Sequence, residues 1–235
     1  MSLRVHAIVF CWPGKVPDAL RICTSLTDQV DQITVIDASQ DPVESSEDWE
    51  WIKVEPTCYF GHKFAHATQH FAGDVLLQIQ ADASNPDWGA VVNQCRRRFG
   101  DIRQLGIWSP EVDFTVWATD RVKLYQYSDA QLAGVLQTDC IVWAMRSGVV
   151  DYLRRLDYSG NNFGWGIDWA AIGHCYAHGA LVLRDSSAKV LHPKGTGYDK
   201  AEAMRQMAWF FRQLGYAEKI QCKLLSKYMG HRLPI

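Results

Sequence analysis

Short β-branched apolar runs alternate with segments of helical periodicity along the first third of this chain, and that alternation limits the fold more than any other feature. Residues Val5–Cys11 and 33–36 are predominantly apolar, partly β-branched runs, and between them Ala19, Leu20, Ile22, Cys23 and Leu26 recur at helical spacing. A short unbroken run fits a strand buried on both faces, whereas a 3.6-residue repeat fits a helix with one apolar side. The order is therefore strand, helix, strand. Such units imply an α/β domain with a mainly parallel sheet, whose ligands bind beyond the carboxyl ends of the strands. Val54 marks a third short strand and residues 63–71 a helix ending before Gly73-Asp74. Val75–Gln80 forms a further strand, followed by a polar loop carrying Asp82, Ser84, Asn85 and Pro86.

Beyond Gly100 the runs shorten and the pattern turns mixed. Strands are expected at 106–108, 114–118 and 138–145, a helix over 168–178 closed by Gly179, and strands at 181–183 and 189–191. The tail, 200–228, reads as helix broken at Gly215. No linker or repeat divides the 235 residues, so one domain, 1–235, with flanking helices is expected. A net charge of -2 with 21% charged residues offers no basic excess for nucleic acid. Seven scattered cysteines, none in a Cys-x-x-Cys pair, point to reduced thiols in a cytoplasm-like compartment.

Three carboxylates stand where chemistry is done. Asp37 ends the strand 33–36, where it either accepts hydrogen bonds from a nucleobase or ribose or shapes a turn. Asp82 follows the strand Val75–Gln80, where it suits a hard divalent cation held against a diphosphate. Asp168 sits in Gly164-Trp165-Gly166-Ile167-Asp168-Trp169, between a glycine-rich turn and an apolar helix, as a helix cap or a general base. His192 opens a His-Pro-Lys-Gly-Thr-Gly-Tyr run at the end of a later strand.

In their order and spacing these segments resemble the family 2 inverting glycosyltransferases of the GT-A fold, over approximately residues 4–198. Thr34-Val35-Ile36-Asp37-Ala38-Ser39-Gln40-Asp41 is similar to that family's nucleotide-binding strand and loop. Gln80-Ala81-Asp82 corresponds to its Asp-x-Asp signature, and Met145-Arg146-Ser147-Gly148 to an arginine-bearing strand end before the acceptor region. Ile167-Asp168 matches its pair of acids, and Val190-Leu191-His192 its strand-terminal histidine. Gln80 and Ile167 each replace an acid, and His66 replaces a frequent asparagine.

The resemblance implies transfer of a sugar from a nucleotide-diphosphate sugar to an acceptor hydroxyl, with inversion, as in polysaccharide biosynthesis. Nucleotide contacts then fall to Asp37, Ser39, Lys63 and Ala81, and Mn²⁺ or Mg²⁺ to Asp82 and His192. Arg146, Trp165, Gly166 and Trp169 would line the sugar and acceptor pocket, and Asp168 would be the base. Residues 1–100 would serve the nucleotide sugar, 101–199 the acceptor and catalysis, and 200–235 form the helical tail. A noncatalytic sugar-nucleotide or glycan binder, or a nucleotidyltransferase acting on sugar phosphates, is the other reading, although no glycine-rich phosphate loop supports the latter.

Two further patterns stand outside that resemblance. His62, His66 and His70 recur every four residues, as do His174 and His178, but without the glutamate of His-Glu-x-x-His, so packed or solvated histidines are expected. In the tail, Lys219, Lys223 and Lys227 run beside Ile220, Leu224 and Tyr228. Docking of the apolar stripe on the domain is the first expectation, and peripheral contact with a membrane bearing a lipid-linked acceptor the second.

Overall fold

The computed structural model of the chain describes residues 3–43, 46–193, 199–230 and 233–235. Strand β1 (Val5–Cys11) is buried at every residue, and α1 (Val16–Leu26) carries the chain over to β2 (Gln32–Asp37). β3 (Glu50–Lys53), α2 (Phe60–His70), β4 (Val75–Gln80) and α3 (Trp88–Asp101) complete the first half. Next come β5 (Leu105–Val112), the short α4 (Thr119–Val122), and the hairpin β6 (Lys123–Gln126) and β7 (Leu132–Val135). After these follow β8 (Val142–Arg146), α5 (Ser147–Arg154), α6 (Ile167–Ala177) and β9 (Leu181–Val190), and α7 (Lys200–Phe211) and α8 (Tyr216–Tyr228) form the tail.

These strands share one sheet, in the order β3-β2-β1-β4-β8-β5-β9-β7-β6. The first four are mutually parallel. β8 then enters antiparallel to both β4 and β5, β9 returns parallel to β5, and the β6–β7 hairpin closes the far edge. The carboxyl ends of β1, β2, β4, β5 and β9 thus point to one edge of the sheet, where β8 begins.

Two apolar layers cover the sheet, as period-two alternation requires. Val5, Ala7, Val9 and Cys11 of β1 pack with α1 and α3, including Leu26, Trp88 and Phe99. Ile8 and Phe10 point to the other face, against Phe64 of α2 and the helices that carry Val150, Ile172, Phe210 and Leu225.

The second half departs from expectation where side chains, not periodicity, set the backbone. Residues 114–118 form bends instead of a strand, because the Thr115 hydroxyl captures the Trp117 N–H at 2.8 Å and itself donates to Asp139. The strand expected from 138 begins only at Val142. The two runs at 181–183 and 189–191 belong to a single strand, β9, with a register shift opposite Pro110 and Glu111. β3 stops one residue short of Val54. Of the His-Pro-Lys-Gly-Thr-Gly-Tyr run, residues 194–198 lie outside the described residues.

Candidate active site

At the carboxyl edge of the sheet, a small antiparallel bridge ties the loop after β4 to the end of β9. Ser84 N–H donates to Leu191 O, and Leu191 N–H returns to Ser84 O, each at 2.9 Å. This fastening brings His192 Nε2 to 3.5 Å from Asp82 Oδ2, while the His192 N–H is held by Asp113 Oδ1 at 2.8 Å. Asp82 Oδ1 and His192 Nδ1 are buried and have no partner among the described residues. A buried polar atom left without a partner costs free energy. Each of these facing side chains thus keeps one atom short of a partner, a carboxylate oxygen and an imidazole nitrogen, and both are ligand types that a divalent cation accepts.

The loop 137–141, which leads into β8, joins this pair to Asp168. Gln80 stands where an acid was expected, and its amide accounts for the exchange: Nε2 donates to Cys140 O at 2.9 Å, which a carboxylate cannot do. The Gln80 N–H also donates to Ile141 O at 2.8 Å. Asp139, two residues before Ile141, is buried and takes the Thr115 hydroxyl on one oxygen and Arg184 at 3.4 Å on the other. Burial pushes its carboxyl above the usual range, with Thr115, Arg184 and His192 pulling the other way. The charge of Asp139 also reaches Asp168.

Asp168 occupies the second position of α6. Its Oδ1 accepts the Trp169 N–H at 2.8 Å, and the backbone N–H groups of Gly166 and of Asp168 itself also favour the charged carboxylate. Burial pushes the carboxyl up to about 7 against the Trp169 N–H, and the like charge of Asp139 adds to the rise. A carboxyl with this proton affinity is poised for proton transfer near neutral pH.

The glycines before Asp168 set its position through close backbone packing. Gly164 and Gly166 have φ of +80° and +91°, conformations that side chains oppose. Gly61, in the first turn of α2, donates its N–H to Asn162 O at 2.8 Å and lies so near this loop that a Cβ would meet Asn161 O at 1.8 Å. At Gly166 a Cβ would meet Phe211 at 2.9 Å and Met207 at 3.1 Å. Gly166 therefore begins α6 and seats α7; it offers no side chain to a sugar.

At the end of β2, Asp37 and Ser39 face inward. Asp37 is fully buried: Oδ1 accepts Ser39 N–H at 2.7 Å, and Oδ2 accepts Ser39 Oγ at 2.8 Å, Trp51 Nε1 at 3.0 Å and Lys53 Nζ at 2.6 Å. Burial opposes ionisation here, but these donors together hold its carboxyl below the usual range. Lys53, a residue that sequence reading passed over, also binds Asp41 O at 2.6 Å, so Asp37 and Lys53 shape the loop after β2. Lys63 is buried at the end of β1, where Nζ donates to Cys11 O at 2.9 Å and lies 5.1 Å from the Trp12 ring centroid. Burial lowers its ammonium to about 8.

Other expected contacts lie elsewhere. Arg146 ends β8 at the opposite edge of the sheet, because β8 runs antiparallel to β4 and pairs Arg146 with Val75. There its guanidinium binds Leu105 O at 3.0 Å and Phe99 O at 2.9 Å, closing the end of α3. Trp169 is buried in the second core layer, and Trp165 is half-buried against the same layer. Ala81 is buried, with its N–H spent on Phe10 O at 2.9 Å.

No family model and no curated protein matches the sequence. Solved structures do match. GalNAc-T7 with UDP, GalNAc and Mn²⁺ superposes with a TM-score of 0.64 at 10% identity, over 98% of this chain and 55% of that chain. The mannosyltransferase PcManGT from Pyrobaculum calidifontis, in complex with GDP-Man and Mn²⁺, gives 0.61 at 15% identity, over 97% and 70%. The fold is that of the GT-A glycosyltransferases. Glucosyl-3-phosphoglycerate synthase from Mycobacterium tuberculosis, in complex with Mn²⁺, UDP-glucose and phosphoglyceric acid, gives 0.58 at 12% identity, over 98% and 81%. The chain spans about half the length of GalNAc-T7, and at these identities the likeness is one of fold.

The close approach of Gly61 to Asn161 O generates a test. Gly61→Ala is expected to destabilise the protein by about 1–3 kcal/mol or more, since the obstacle is backbone and cannot rotate away. Urea unfolding should show the loss, whereas Gly100→Ala, with open space around its Cβ, should not.

Proposed function

We propose that this chain is a metal-assisted glycosyltransferase that moves a sugar from a nucleotide-diphosphate sugar to an acceptor hydroxyl with inversion. The observation that carries the reading is the pairing of Asp82 with His192, with partnerless atoms on each, at the sheet edge that loop 137–141 shares with Asp168. Neighbours of the same fold are solved with UDP or GDP-mannose and Mn²⁺, which agrees with that assignment.

In this reading Asp82 and His192 hold Mn²⁺ or Mg²⁺. The ion, when bound, stabilises the negative charge of the departing diphosphate. Lys63 has ammonium protons beyond the one given to Cys11 O, and a phosphate or nucleobase oxygen would satisfy them. The loop 38–41, fixed by Asp37 and Lys53, forms the wall of the nucleotide pocket. The Asp168 carboxylate receives the proton of the acceptor hydroxyl as it attacks, and Asp139 raises the proton affinity of that base by like charge. Gln137 and Thr138 are fully buried just before Asp139, and Gln137 Nε2 and Thr138 Oγ1 have no partner among the described residues. Arg146 and Trp169 drop out as sugar contacts, because one lies at the opposite edge of the sheet and the other in the core. Trp165 remains on the acceptor side.

The acceptor side has its own structural signal. Tyr216, Ile220, Leu224 and Tyr228 are 82%, 37%, 57% and 68% exposed along one face of α8, because the helix packs on the domain through Cys222 and Leu225. The expected docking of this stripe is thus reversed. With Lys219, Lys223 and Lys227 alongside, the face suits an anionic bilayer, a surface on which a lipid-linked acceptor would be within reach. Among the described residues no helix is long and apolar enough to cross a membrane.

Three outcomes test the reading. A UDP- or GDP-sugar at about 100 times its Kd should stabilise the protein by about 2.7 kcal/mol in the presence of Mn²⁺. Asp82→Ala should abolish the metal-dependent part, and no shift with any nucleotide sugar would remove the proposal. Asp168→Asn should lower transfer by ~10²–10⁴-fold. Because the base must be ionised, wild-type kcat should rise with pH through about 7, a limb that the variant should lack. A variant that keeps donor binding and the wild-type rate would instead favour another base. Finally, vesicles containing phosphatidylglycerol should carry the protein in flotation and release it in high salt, while absence of binding would exclude the membrane contact.

A further inference from the structure

Helices α6 and α8 meet at a cluster of side chains that the chemistry above does not use. His174 lies in the last turn of α6 and His178 just past its end, one turn further along the same face. Glu218, in the first turn of α8, lies between them, with Oε1 3.1 Å from His174 Nδ1 and 3.4 Å from His178 Nε2. All three donor atoms lie within 4.8 Å of one another.

Two features distinguish this group from histidines merely packed on a surface. The ring of Tyr152 in α5 stacks on His174 at 3.9 Å between centroids and 4° between planes, which fixes the imidazole in rotation. The Tyr152 hydroxyl, near enough to feel the charge of Glu218, is buried with no partner among the described residues. The site is therefore ordered on its inner side and short of one polar partner.

We propose that His174, His178 and Glu218 bind a zinc ion that fastens α8 to α6. A tetrahedral ion with bonds of ~2.0–2.2 Å keeps its ligands about 3.4 Å apart, close to the separations between Glu218 Oε1 and the two imidazoles. Two imidazoles with one carboxylate favour zinc over Mg²⁺ and Mn²⁺, which prefer oxygen. The donor set thus differs in kind from Asp82 and His192. His178, with 58% of its side chain exposed, leaves an open side on which water completes the coordination. The histidines lacked the glutamate of His-Glu-x-x-His in sequence; the carboxylate comes instead from a helix 40 residues away.

The experiment uses the full chain, freed of any affinity tag and stripped with chelator, titrated calorimetrically with zinc chloride. One zinc per chain is expected, retained in Asp82→Asn, with Co²⁺ giving the visible absorption of a tetrahedral site. His178→Ala, at an exposed position that leaves folding intact, should weaken zinc binding by more than about tenfold, and Glu218→Gln should do the same. Failure to bind zinc would overturn the proposal. So would binding that survives His178→Ala unchanged or disappears in Asp82→Asn.

Discussion

A single buried hydrogen bond, from Trp143 Nε1 to Gln78 Oε1 at 2.6 Å, fixes the register on which the site depends. Both residues are fully buried and face one another across the antiparallel pair of β4 and β8. A slip of one residue would turn every side chain of β8 to the opposite face and leave two large polar groups unpaired in the core. With the register held, β8 begins beside the end of β4. Loop 137–141 is delivered to the carboxyl edge of the sheet, between Asp82 and Asp168.

That edge gathers charge in an apolar setting. Asp82, Asp139 and Asp168 are answered by His192 and the buried Arg184, and burial raises Asp139 and Asp168 more than their partners lower them. The contrast with Asp37 is instructive. It too is buried, yet Lys53, Trp51 and Ser39 saturate it and keep it charged. One carboxylate has been spent on architecture, while Asp168 is held where burial favours a proton and Asp82 keeps an oxygen without a partner among the described residues.

The parallel half of the fold was legible because strands buried on both faces write continuous apolar runs, and Asp82, Asp168 and His192 were legible as polar residues at element ends. Strand direction leaves no such mark. The resemblance put Arg146 at the site and left Asp139 unnoticed, but β8 runs antiparallel to β4, so only Asp139 lies at that edge. Trp169 lies in the core for a different reason: successive helical residues point ~100° apart, so it does not share the direction of the half-buried Asp168. The stripe on α8 had the right period, but period alone does not say which face packs. Asp37 depended on β3, a strand glimpsed only at Val54, whose Trp51 and Lys53 consume its oxygens.

The amide of Gln80 carries a consequence for how this chain can change. Because its Nε2 holds Cys140 O, the strand bearing Asp82 and the loop bearing Asp139 are joined through a donor that no acid can supply. Placing an acid at position 80 would set a negative oxygen against a carbonyl and release the loop. A second carboxylate beside Asp82 therefore cannot be introduced by one substitution; the carbonyl at position 140 would have to find another donor first. The amide at position 80 in this sense locks the loop and the strand to one another, and any change there has to be a paired one.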